Sequence, residues 1–165
     1  MAKEIFKDIQ AFLNLSQKQY ENLAEISEVK SFKKGTYIFR PGDAANHLYM
    51  VRSGEVGLLA MEAQDRAGID FGKCKPGDLF GSACMCAACM EKAPVHTLAA
   101  ICIEDTEVII FDIVKLLSLC AADTEFGYQL MSIINQINFE RYGLAKQALR
   151  EVIKASNIVT GYSVA

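Results

Sequence analysis

The chain has 165 residues, enough for one domain with its own core. At 52% hydrophobic and 22% charged it carries too much apolar content to stay disordered, and a net charge of −3 gives no global attraction to nucleic acid. No apolar run approaches the roughly 18 residues of a membrane-spanning helix, and the charged N-terminus lacks a signal-peptide core, so a cytoplasmic protein is expected.

The first 28 residues read as a helical segment. Ile5, Ile9, Phe12 and Leu13 share a helix face across residues 3–14. Ser16 and Gln19 then form a capping-box pattern that starts a second helix, running to about Ile26 and burying Tyr20 and Leu23. The period changes at Val29. Val29, Ser31 and Tyr37–Phe39 are strand-like around a Lys33-Lys34-Gly35 turn, and Pro41-Gly42-Asp43 turns again. His47–Val51 and Val56–Met61 predict a hairpin through Arg52-Ser53-Gly54-Glu55. After a turn at Asp65–Gly68, Ile69–Lys73 predicts a strand closed by Pro76-Gly77-Asp78. Thr97–Ile103 and Glu107–Phe111 predict a last hairpin. Short strands at this spacing, divided by Gly-rich turns, define a β barrel or sandwich over 29–112.

Residues 113–156 are helical in pattern. Ile113, Leu116 and Leu117 make a short helix, and Asp123 or Thr124 can cap a long one. Leu130, Ile134, Ile137, Arg141, Leu144 and Ala148 fall at alternating spacings of four and three, a coiled-coil-like seam. The seam predicts a homodimer through the 124–156 helix, the alternative being a helix folded back on its own barrel. Residues 157–165 read as a frayed tail. Arg141 and Tyr142 are open to two readings, contact with a ligand from the long helix and a solvated or interhelical pair, of which the second is favoured.

Six cysteines are present. With no secretory signal they are expected to be free thiols, Cys102 and Cys120 as small core residues. Cys84, Cys86 and Cys89 form Cys-x-Cys-x-x-Cys, which leaves three readings open: packing of a short helix, a metal or haem site, and thiol redox sensing. The packing reading is favoured, because the spacing matches no paired zinc half-sites. No nucleophile elbow, phosphate loop or clustered carboxylate pair argues for an enzyme.

Several segments in this order resemble the cyclic-nucleotide-binding domain family, from about Phe12 to Leu149. They are Phe32-Lys33-Lys34-Gly35 with Ile38, Phe39 and Pro41-Gly42-Asp43, then Leu48–Val56, and then Pro76-Gly77-Asp78-Leu79-Phe80-Gly81. Phe126–Met131 resembles the start of the dimer helix in catabolite-activator-type regulators. The resemblance implies a mainly β fold with α: a β-roll or jelly-roll barrel with an N-terminal helical hairpin, a cassette helix at 81–91 and a long C-terminal helix. It also implies a ligand site at Phe80, Gly81, Ser82, Ala83, Cys84, His96 and Thr97, with backbone N–H groups holding a cyclic phosphate.

Two residues of that family's site are replaced. Ser82 stands where the family has the Glu that accepts from the ribose hydroxyl, and His96 where it has the Arg that pairs with the phosphate. Losing the charge-assisted Arg contact costs about 1.5–3 kcal/mol, or about ten- to a hundredfold in affinity. The interval from Gly81 to His96, 15 positions, is also longer than the family pattern. The expected function is therefore a non-enzymatic sensor domain with a diverged pocket that does not bind cyclic AMP tightly. A cyclic nucleotide or another small anion remains the candidate ligand. The alternatives are a metal, haem or thiol redox sensor using Cys84, Cys86 and Cys89, and a ligand-free dimerisation module. No DNA-reading segment follows the long helix, so direct nucleic-acid binding is not expected.

Overall fold

The computed structural model describes residues 15–61, 68–88 and 92–155. The expected first helix, the turn at 65–67, Cys89 and the tail lie outside these residues.

Helix α1 spans Gln17–Glu25. Ser16 Oγ accepts from the Gln19 backbone N–H at 3.3 Å, and Gln19 Oε1 accepts from Ser16 N–H at 2.8 Å. The box satisfies two N–H groups that the helix start leaves open, worth about 1 kcal/mol. Tyr20 and Leu23 are buried on one face.

Among the described residues eight strands follow: β1 Ser27–Phe32, β2 Tyr37–Phe39, β3 His47–Ser53, β4 Val56–Ala60, β5 Ile69–Cys74, β6 Leu79–Phe80, β7 Ala99–Cys102 and β8 Thr106–Asp112. They form two four-stranded antiparallel sheets, ordered β1-β8-β3-β6 and β2-β7-β4-β5. Strand β1 begins two residues before Val29, because pairing with β8 runs from Ser27 opposite Phe111 to Phe32 opposite Thr106. The partner strand extends β1 across residues of low strand propensity.

Strand β3, inside the first sheet, is buried on both faces, which explains its unbroken apolar run Leu48-Tyr49-Met50-Val51. Leu48 and Met50 pack with Ile109, Phe111 and the helices, while Tyr49 and Val51 face Phe39, Val56, Phe80 and Val108 inside the barrel. The strand period of two sends alternate residues to different cores.

Two helices close the described chain, α2 over Ile113–Ala122 and α3 over Thr124–Ala155. Asp112 caps α2, accepting from Lys115 N–H at 3.0 Å. Asp123 caps α3, accepting from Phe126 N–H at 2.9 Å, and its second oxygen accepts from Gln19 of α1 at 2.9 Å.

At 32 residues α3 is roughly 48 Å long at 1.5 Å per residue. Its first half carries the expected seam back onto its own barrel. Leu130 and Ile134 are buried in the helix-side core, and Ile137 packs against it. For this half of the seam the helix folds back on its own barrel, the second of the two readings, while Leu144 further along stays exposed.

Within the expected cassette helix, Ser82–Ala88 takes the tighter 3-10 form, and residues 89–91 lie outside the described residues. It opens with Cys84 N–H donating to Gly81 O at 3.3 Å, an i to i+3 bond. A stretch this short has too few intrahelical bonds to hold an α-helix on its own propensity.

Candidate ligand cavity

The cavity lies between the second sheet, the 3-10 segment and α3. Its volume is about 280 Å3, at the low end for a small-molecule site. Gly81, Ser82 and Ala83 form one wall, His96, Thr97 and Leu98 another, and Asn138 and Arg141 of α3 a third. Phe39, Leu58 and Phe71 add an apolar floor.

Gly81 is required where the chain turns into this wall. Its φ is +76°, and a Cβ there would sit 2.7 Å from Tyr49 Cδ2. Only glycine takes that backbone conformation and that close an approach together. Ser82 Oγ then donates to Asn138 Oδ1 at 2.9 Å, joining the cavity wall directly to α3.

His96 is buried, with its ring stacked on Phe39 at 3.6 Å between centroids and 7° between planes. Its backbone is held on both sides: its N–H donates to Asp43 O at 2.9 Å, and its carbonyl accepts from Gly42 N–H at 2.8 Å. Among the described residues the ring Nε2 has no hydrogen-bond partner. Burial pushes the imidazole below its ordinary value against the opposing pull of Asp43, with His47 adding to the depression. The ring is therefore neutral at pH 7 in the free protein.

Arg141 Nη2 donates to Leu79 O at 2.7 Å and lies 3.5 Å from Cys74 Sγ. This corrects the expected solvated or interhelical pair: Arg141 reaches into its own barrel, while Tyr142 is exposed, with Lys146 Nζ 4.6 Å from its ring centroid. Arg141 also lines an adjoining cavity of about 160 Å3 with Glu140, Leu144, Cys74, Leu58 and Phe71. Burial pushes the Cys74 thiol up to about 11, although the guanidinium works against it.

Of the residues expected at the site, Gly81, Ser82, Ala83, His96 and Thr97 come together on this cavity. Phe80 and Cys84 are placed elsewhere. Phe80 is fully buried beneath, its ring 5.2 Å from Tyr49 and 6.0 Å from Phe39. Cys84 packs with Met85 in the helix-side core, and burial pushes its thiol up to about 12. A thiol held protonated is a poor nucleophile at neutral pH. Cys86 is exposed, so these two cysteines face different environments. Among the described residues no three His, Cys, Asp or Glu side chains gather as a metal-ligand group. The 3-10 segment buries its own Cys84 and Met85 away from the cavity, which therefore stays open.

Sequence reasoning missed Asn138 and underweighted Arg141. The available signal was polarity within the seam, since Arg141 interrupts an apolar row between Ile137 and Leu144.

Two sheets with a glycine-led turn beneath a long helix, enclosing a small polar-edged cavity, define a β-roll of the cyclic-nucleotide-binding type. The family model described as cyclic nucleotide-binding domain matches residues 29–123, and the chain belongs to that family. It is 32% identical over 104 residues to the anaerobic regulatory protein of Bacillus subtilis (strain 168), covering 62% of this chain and 41% of that protein. The chain thus spans less than half the length of that relative. Among solved structures it is similar to a protein of Geobacter metallireducens GS-15 assigned as cyclic nucleotide-binding. The TM-score is 0.69 at 22% identity, covering 86% of this chain and 98% of that one. It is also similar to the sensor domain of the transcriptional regulator DNR from Pseudomonas aeruginosa. There the TM-score is 0.64 at 21% identity, covering 97% and 95% of the two chains. At these identities the structural likenesses establish the fold alone. Among the described residues no helix is long and apolar enough to cross a membrane.

Proposed function

We propose that this chain is a cytoplasmic, non-enzymatic regulatory domain that senses a small anionic ligand, of cyclic-nucleotide class, in the cavity at Ser82, His96 and Arg141. The observation that carries this reading is the shared wall. The cavity is bounded by the barrel on one side and by Asn138 and Arg141 of α3 on the other, with the Ser82–Asn138 bond joining them. A ligand entering there must compete with that bond and offers Arg141 an alternative to the Leu79 carbonyl. Either change biases the position of α3, which is what a switch requires. The names of two relatives, a regulatory protein and a sensor domain of a transcriptional regulator, are in keeping with this role.

The output surface in this reading is the outer face of α3, used for homodimerisation. Tyr128, Met131, Phe139, Tyr142 and Leu149 are all exposed on it. An apolar stripe of this extent on a helix calls for a partner.

The site lacks the family's Glu and Arg, so cyclic AMP binds weakly at neutral pH. Calorimetric titration at pH 7.5 checks this. The double variant Ser82→Glu with His96→Arg should bind about ten- to a hundredfold more tightly than wild type, the value of a regained charge-assisted contact. Submicromolar binding by wild type, or no gain in the double variant, contradicts the reading. A visible chromophore or stoichiometric metal in protein purified anaerobically would favour the cysteine-based alternative instead.

A further inference from the structure

We propose that His96 is the anion-contacting group of this cavity and that ligand binding is accompanied by uptake of one proton onto its ring. The inference rests on the cavity being the ligand site.

Three observations lead to it. The ring is only 3% exposed, yet among the described residues its Nε2 has no partner. A buried polar atom left unpaired is uncommon and points to a partner absent from the free protein. The ring is also fixed in place. The Phe39 stack holds its plane, and the two backbone bonds to Gly42 and Asp43 hold its Cα. It cannot turn away to find a partner, so the partner has to come to it. Finally, the cavity on whose wall it sits is edged by Ser82 and Arg141, a hydroxyl and a guanidinium suited to an anion.

The surrounding charges decide the protonation state. Asp43, in the turn between β2 and β3, favours imidazolium. His47 on β3 opposes it. The Tyr49 hydroxyl on the same strand, itself shifted upward by burial, is neutral and adds no charge. Arg141, across the cavity on α3, opposes imidazolium as a like charge. Burial outweighs Asp43, so the free ring is neutral. A phosphate monoanion brought against the ring reverses the balance by adding a second negative charge where desolvation had won. Neutral imidazole donates through one nitrogen only, whereas imidazolium donates through both and pairs with the charge.

The ligand this selects is a small organic phosphate monoanion, with its apolar portion against Leu58, Phe71 and Leu98. The sign follows from linkage. The His96 pKa is higher in the complex than in the free protein, so affinity rises as pH falls through the interval between the two values. The limiting slope is about tenfold per pH unit, flattening outside that interval.

The test is calorimetry of the intact chain with cyclic AMP as the probe, from about pH 8 to about pH 5.5, in buffers of contrasting ionisation enthalpy. Affinity should rise toward acid, with close to one proton taken up per ligand bound. His96→Gln should abolish both effects. His47→Gln, which removes the other histidine, should leave both in place. His96→Arg should bind at every pH without proton uptake. Wild-type binding that is independent of pH and releases or takes up no proton overturns the proposal. Failure of wild type to bind at about pH 5.5, with binding by His96→Arg, also overturns it but leaves the cavity as a nucleotide site. Failure of both proteins to bind, each still folded by circular dichroism, removes the ligand-site reading as well.

Discussion

Gly54 and Gly35 show how far a single residue's surroundings decide its cost. Both have positive φ, +86° and +81°, so any side chain meets similar backbone strain. They differ in space. A Cβ at Gly35 has nothing within 4 Å, whereas at Gly54 it would lie 2.6 Å from both Asp105 O and Thr106 Oγ1. Thr106 is itself buried and donates to Glu104 O at 2.9 Å, so it cannot simply withdraw. Gly35→Ala should cost about 1 kcal/mol for the left-handed conformation alone. Gly54→Ala should cost about 1–3 kcal/mol beyond that, because the hairpin must open. Urea denaturation of the two variants measures the difference, and equal losses would refute it. At this scale the turn residues were legible in the sequence, since glycine within Ser-Gly-Glu announces a hairpin. What they pack against was not, because Asp105 and Thr106 come from a different hairpin some fifty positions away.

The elements follow their caps. Asp123 ends α2, starts α3 and ties both to α1 through Gln19. The hydrogen bond from Phe126 N–H, and then that from Gln19, hold its carboxyl below the usual carboxylate range. A depressed carboxylate stabilises the fold above its unfolded-state value, and the contribution is lost as pH falls through the folded value. Asp123→Ala should therefore melt below wild type at pH 7, with the gap narrowing as the solution is taken below about pH 4. A constant gap in thermal melts across that interval would show that the charge plays no part. The capping boxes and the 3.6-residue period made the helices legible, and the sheet strands were legible to within a few residues. The cassette was not. Its run of Ala, Cys and Met fits an α-helix by propensity, but the structure makes a 3-10 segment with Cys84 and Met85 anchored in the core. Strand β7 likewise starts at Ala99 rather than Thr97, because Thr97 and Leu98 are spent on the cavity wall.

For the molecule as a whole, the helical seam gave the length of α3 and left open which surface covers it. Periodicity reports that a helix has an apolar stripe, not which surface covers it. α3 has apolar residues on two sides, and its own barrel takes Leu130 and Ile134. The outer stripe is what remains for a second copy. Phe139, 73% exposed, is a position where a charge costs the monomer little. Phe139→Glu combined with Tyr128→Glu should convert a dimer to a monomer in sedimentation, with the melting temperature of the monomer fold retained. A wild-type protein that sediments as a monomer at high concentration counts against the outer face as an interface.

The Ser82–Asn138 bond has a mechanical consequence, because of where it falls along α3. Asn138 lies near the middle of a rod whose base is fixed at Asp123, and 17 residues extend beyond it to Ala155. With the pivot at Asp123, Asn138 sits roughly 23 Å along the rod and Ala155 roughly 48 Å, at 1.5 Å per residue. A shift of about 1 Å at the Ser82–Asn138 bond therefore reaches the far end of the helix as roughly 2 Å.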